Sequence, residues 1–194
     1  MGFTQAELQS FRGKTLPDLL GPDVRLLVVG INPGLLTVAV QSHFGRRGNR
    51  FYPALYRAGV VDRLIDAAEG FKPEDLAHLK ARGLGITNLV PIATARADEL
   101  SRDELLAGAI ALEERVRVIR PTAVAMLGIT SYRTAFGRPK TVTGRQPETL
   151  GGAELWVVPN PSGLNAHSSL DDLASAYREV AIAAGIDVYA LPTC

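Results

Sequence analysis

The sequence predicts an α/β three-layer sandwich, in which a central, largely parallel sheet of four to five strands is flanked by helices. Three observations predict it. Four short apolar runs recur along the chain: VRLLVVG at 24–30, LGITNLV at 84–90, AVAMLG at 123–128 and LWVVP at 155–159. Most are continuous rather than alternating, which suits strands buried on both faces. Helical patterns with their own start and stop signals lie between them, and turn formers follow each strand.

The elements follow in order. NRFYPALYRAGV starts a helix after Gly48, and Pro53 must sit in its first turn or kink it. PEDLAHLKARG has Pro73 and two acids at its start and Gly83 at its end. The segment from Ser101 to Pro121 opens with Ser101 and Glu104 in capping-box spacing. The last helix has Ser169 as N-cap, acids in its first turn and Gly185 after it. No repeat, low-complexity tract or linker interrupts the 194 residues, so one domain over 1–194 is expected. The first dozen residues, the last few and the loop at 36–49 read as the mobile parts.

Composition narrows the function classes. The chain is 46% apolar and 21% charged, as soluble globular proteins are. No run approaches the roughly 18 apolar residues of a membrane helix. The opening MGFTQAELQSFRGK lacks the apolar core of a secretory signal, and its Met-Gly is only a weak match to a myristoylation signal. Cys194 is the sole cysteine, and His43, His78 and His167 are scattered. A disulfide framework, a metal site and a cofactor are therefore not expected. A cytoplasmic monomer away from membranes is. With a net charge of +1, any nucleic-acid binding must come from local patches. Arg46, Arg47 and Arg50 form one candidate; Arg133, Arg138, Lys140 and Arg145 form another. On charge alone each reads as a solvated basic face.

Ligands of open α/β sheets sit outside the carboxyl ends of the strands. The four segments there are GINPGL, PIATARADEL, GITSYR and NPSGLNAH. They offer Asn32, Asp98, Thr130, Ser131, Tyr132, Ser162, Asn165 and His167, a polar set without cysteine or an evident Ser-His-Asp triad. GINPGL lacks the glycine spacing of a dinucleotide fingerprint and the Lys of a P-loop, and no helix clearly opens on it. Its Pro33-Gly34 turn would present the Asn32 amide in a fixed orientation. An amide can hold a water but takes up a proton poorly. The plain alternative is an Asn-Pro turn with a self-bonded side chain.

GINPGL after the first strand and NPSGL after the last resemble the two signature motifs of the mismatch-specific uracil/thymine DNA glycosylase family, within the uracil-DNA glycosylase superfamily. GNRFYPALYRAG, GITNLV, ADELSRDELLAG and LWVVPNPSGL resemble further family segments in the same order, so the resemblance spans about residues 20–180. It implies a uracil-DNA glycosylase-like fold. It also implies a bacterial, nucleoid-associated repair enzyme acting on double-stranded DNA that contains uracil or mismatches. The target base is flipped out, because its glycosidic bond is out of reach in the stack. Hydrolysis then leaves an abasic site. Uracil opposite guanine is the main target, with thymine or other damaged pyrimidines as further ones. No motif lysine could form a Schiff base, so the enzyme is monofunctional.

The resemblance assigns roles. Asn32 positions the attacking water. The backbone around Ile31 bonds the pyrimidine edge, and Phe44 stacks on the flipped base, in a Gly/Arg-rich loop with little core around it. Asn88 reads O4 and N3–H of uracil, or else terminates sheet hydrogen bonds. Asp98 either accepts the water's proton or is an exposed acid ahead of the Ser101 cap. Ser162, Gly163, Leu164, Asn165 and His167 meet the DNA. Leu164 acts as the wedge that fills the vacated stack, and Ser162 holds phosphate. His167 either contacts a phosphate or caps the last helix. Two departures remove cations from the DNA face: Asn165-Ala166-His167 replaces a basic loop, and Ile129 stands where relatives often carry lysine. The alternative functions are a non-catalytic binder of damaged DNA and a phosphate-binding α/β enzyme, which the missing phosphate loop disfavours.

Overall fold

A computed structural model describes residues 2–163 and 167–190; Leu164 and Asn165 lie outside the described residues. The sheet has five strands: β1 (Leu26–Gly30), β2 (Leu84–Asn88), β3 (Ala123–Leu127), β4 (Gly144–Leu150) and β5 (Ala153–Val158). Their spatial order is β2-β1-β3-β5-β4, with every pair parallel except the antiparallel β4–β5 edge. The helices are α1 (Gln5–Gln9), α2 (Leu35–Ala39), α3 (Phe51–Arg57), α4 (Pro73–Ala81), α5 (Arg102–Ile119), α6 (Ile129–Ala135) and α7 (Leu170–Ala183).

The continuous apolar strands are buried on both faces for a geometric reason. Successive side chains of a strand point to opposite sides. Leu26 and Val28 of β1 join Ala123, Ala125 and Leu127 of β3 in a core shared with α3 and α7. Leu27 and Val29 join Val124 and Met126 in the opposite core, shared with α5 and α6. Leu27, Val29 and Val124 are each fully buried, and burying such a side chain contributes about 1.5–3 kcal/mol. The helix signals are realised as well. Ser101 accepts from the Glu104 N–H and Ser169 from the Asp172 N–H, each in a reciprocal capping box. Pro53 falls in the first turn of α3.

One local expectation is corrected, and three local features are added. A short helix, α2, does open on GINPGL, with Gly34 as its N-cap. Within the segment 36–49, Ser42 and His43 are buried, and the His43 carbonyl accepts from Tyr52 Oη at 2.8 Å. The first dozen residues contain α1, closed by a Thr4–Glu7 capping box. β4, GRQPETL, is polar and contains Pro147, so it does not read as a strand. It survives as an edge strand with an irregular register between Arg145 and Thr149, where a proline is tolerated.

The open edge of β2 is covered by the segment before β1. Leu19 and Ile86 exchange both backbone hydrogen bonds, at 2.9 and 2.8 Å. Among the described residues no helix is long and apolar enough to cross a membrane.

Candidate active site

The carboxyl ends of β1, β2, β3 and β5 surround a cavity of about 170 Å³. That is below the roughly 300–1,000 Å³ of pockets for drug-sized ligands, and it suits a single flat base. Ile31, Asn32, Phe44, Asn88 and Ser162 all line it, so five of the sequence-derived site residues meet in one place. Thr37, His43, Arg46, Asn49, Thr94, Arg96 and Asn160 line it too.

Asn32 is held in a defined orientation. Its Nδ2 donates to the Ile92 carbonyl at 3.0 Å and to Thr94 Oγ1 at 2.7 Å. The Thr94 hydroxyl spends its one proton on the Arg96 carbonyl at 2.7 Å, so towards Asn32 it can only accept. Two obligate acceptors therefore fix which end of the amide is nitrogen. Oδ1 is left without a partner among the described residues. The self-bonded turn is not what forms at Asn32, whereas the second Asn-Pro pair does form one: Asn160 Oδ1 accepts from the Ser162 N–H at 2.9 Å.

Asn88 is 6% exposed, yet its side-chain amide has no hydrogen bond among the described residues. Its backbone carbonyl, in contrast, accepts from Arg115 Nη2 at 2.8 Å. Gly30 separates Asn88 from Phe44. A Cβ at Gly30 would lie 2.7 Å from Asn88 Oδ1 and 3.5 Å from Phe44 Cζ. The Ile31 carbonyl accepts from the Val90 N–H at 3.0 Å.

Phe44 corrects an expectation. Its loop does supply a core: the ring packs on Phe51 with centroids 4.1 Å apart, against the cluster under α3 and α7. Its φ of +56° is unusual for a bulky residue. Such conformations persist where the surroundings over-determine them, often at functional sites. Beside it, burial holds the His43 imidazole below its usual range, against the opposing pull of the Pro17 carbonyl and Asp18. The Pro17 carbonyl can only accept, so Nε2, 2.9 Å away, carries the proton.

Asp98 is not brought into the cavity lining. It lies on a single 3₁₀ turn (Ala97–Glu99), largely exposed, with both carboxylate oxygens bonded to the Arg96 guanidinium. No carboxylate lines the cavity among the described residues. Nor, among them, do three or more His, Cys, Asp or Glu side chains gather as a metal site requires.

The segment 161–163 is anchored from α3. The Arg50 guanidinium donates to the Ser162 carbonyl at 3.0 Å and to the Ser168 carbonyl at 2.5 Å. It thus ties down both sides of the stretch that holds Leu164 and Asn165. Gly163 is exposed, and a Cβ there would lie 3.0 Å from the Gly48 carbonyl. His167 is exposed. The N-terminus of α7 is capped by Ser169. Sequence reasoning missed Thr94, Arg96 and Asn160. Asn160 could have been found as the second Asn-Pro word; Thr94 carries no signal until β2 and its following loop are placed.

The fold is that of a solution NMR structure of a candidate uracil DNA glycosylase from Methanosarcina acetivorans. That match has a TM-score of 0.53 at 18% identity, covering 88% of this chain and 98% of the other. The family model of the Uracil DNA glycosylase superfamily matches residues 17–183, most of the chain and all of the cavity lining. The chain belongs to the uracil DNA glycosylase superfamily.

Proposed function

We propose that this chain is a monofunctional glycosylase that extrudes uracil, above all opposite guanine, and hydrolyses its glycosidic bond. Superfamily membership supports the DNA glycosylase class. The observation that carries the reading is the Asn32 amide, turned by Ile92 and Thr94 so that only Oδ1 is left to meet a water. A water donating one proton to Oδ1 can aim a lone pair at the sugar C1′. The C1′–N1 bond breaks, its electron pair leaves with the base, and the water oxygen bonds C1′. Asn88 is the group to read the base: its Nδ2 donates to O4 and its Oδ1 accepts from N3–H. A preorganised donor is worth most where charge develops, here on the departing pyrimidine. Arg46 and Arg96 line the same space.

An amide does not retain the water's surplus proton, and we assign that proton to solvent. Asp98, bonded to Arg96 outside the cavity, serves to hold Arg96. In single-turnover assays Asp98→Asn is expected to release uracil within about threefold of wild type; a loss of about tenfold or more would reinstate Asp98 as the base. For Leu164 we propose the wedge role, on a stretch anchored by Arg50 on both sides. Leu164→Ala is expected to slow release from a uracil–adenine pair more than from a uracil–guanine mismatch, because the mispaired base is cheaper to extrude. Equal losses on the two duplexes would contradict a wedge.

One observation favours a second reading, a binder of damaged DNA that does not cut: among the described residues no carboxylate lines the cavity. Duplexes bearing uracil opposite guanine, uracil opposite adenine and thymine opposite guanine separate the two, with abasic sites revealed by alkali. Cleavage fastest at uracil opposite guanine is expected. Retained binding without cleavage of any uracil duplex would establish the second reading.

A further inference from the structure

The side chain proposed to read the base has no hydrogen-bond partner of its own among the described residues, so its aim depends on how its backbone is held. On the inner side, β1 holds it: the Leu89 N–H donates to the Gly30 carbonyl at 2.8 Å. On the outer side, the chain segment that covers β2 pairs Leu19 with Ile86 in antiparallel register. Continuing that register sets Pro17 opposite Asn88. Proline has no N–H to give, so the Asn88 carbonyl would face outward without a donor.

Arg115 of α5 supplies the donor. Its Nη2 bonds the Asn88 carbonyl at 2.8 Å and its Nη1 bonds Thr87 Oγ1 at 2.7 Å. Thr87 passes its own proton to Asp18 Oδ1 at 2.7 Å, and Asp18 Oδ2 lies 3.7 Å from Arg115 Nη1. The guanidinium thus grips two consecutive residues of β2, and the carboxylate fixes the guanidinium in turn. Gly108, seven residues and two helical turns before Arg115, shares its side of α5. A Cβ at Gly108 would lie 2.7 Å from the Leu89 carbonyl, so this glycine lets the helix close onto the end of β2.

We propose that Arg115 is a positioning residue for base recognition, acting through the Asn88 backbone to aim the reading amide into the cavity. This rests on the glycosylase reading above. The test is a double-mutant cycle in single-turnover uracil release, comparing wild type, Arg115→Met, Asn88→Ala and the double variant, with thermal denaturation run alongside. Arg115→Met is expected to slow release by about tenfold. The double variant is expected to be no slower than Asn88→Ala alone, because the two changes remove one function. Arg115→Lys keeps the charge but not the fork. It is expected to show a smaller loss with the same coupling, and it carries the cycle if Arg115→Met does not melt cooperatively. Losses that multiply independently in the double variant would overturn the role of Arg115 while leaving the glycosylase reading intact. No uracil release by the wild type would overturn both.

Discussion

Replacing Asn32 with alanine is expected to slow uracil release by about 10²-fold or more while duplex binding is retained, since losing the alignment of a reacting group can cost that much. The expectation follows from how completely the amide is committed. Both Nδ2 protons are accounted for, by Ile92 and Thr94, and Oδ1 alone is left for a water. Alanine removes that acceptor and leaves the Ile92 carbonyl and Thr94 to other partners, without touching the sheet. Single-turnover kinetics at saturating enzyme separate the chemical step from binding. A variant that binds normally and still releases uracil at the wild-type rate would remove Asn32 from the reaction.

The second large effect is expected at Gly30, where alanine should abolish most uracil release, by about 10²-fold, with little change in the melting temperature. The added Cβ would sit 2.7 Å from Asn88 Oδ1, too close for both atoms to stay. β1 is an inner strand, hydrogen-bonded to β2 on one side and β3 on the other, and it cannot withdraw. The Asn88 side chain can, because no hydrogen bond holds it. The fold therefore accommodates the methyl group cheaply by turning the reading amide away from β1. Full activity in Gly30→Ala would show that Asn88 does not read the base from its present position.

The layers of the fold were legible because double-sided burial writes itself as unbroken apolar runs. Leu26 to Val29 feed two cores alternately, so none of them can be polar. The α5 and α7 starts were legible because their caps are local, made by residues three apart. β4 was not, because an edge strand needs neither apolar character nor the absence of proline. α6 was hidden because its segment, ITSYRTA, has only a few apolar residues and begins directly after a strand-ending glycine.

The site divides in the same way. Asn32 and Ser162 lie on segments that follow strands, and the rule about strand ends gathers them; Ile31, Phe44 and Asn88 were named by the family resemblance. Thr94 and Arg115 act through contacts between residues 62 and 27 positions apart in the chain. Such contacts exist only once the sheet is assembled, and no local pattern announces them. Asp98 also follows β2, but where its carboxylate goes is decided by a contact: Arg96, two residues before it, bonds both of its oxygens outside the cavity lining.

The most direct measurement is chromatographic quantification of free uracil from a duplex carrying one uracil opposite guanine, with wild type and Asn32→Ala compared at equal binding saturation. One free uracil per duplex from the wild type, and release slowed by about 10²-fold in the variant, is the expected result. No free uracil from folded, DNA-bound wild-type protein would contradict a glycosylase.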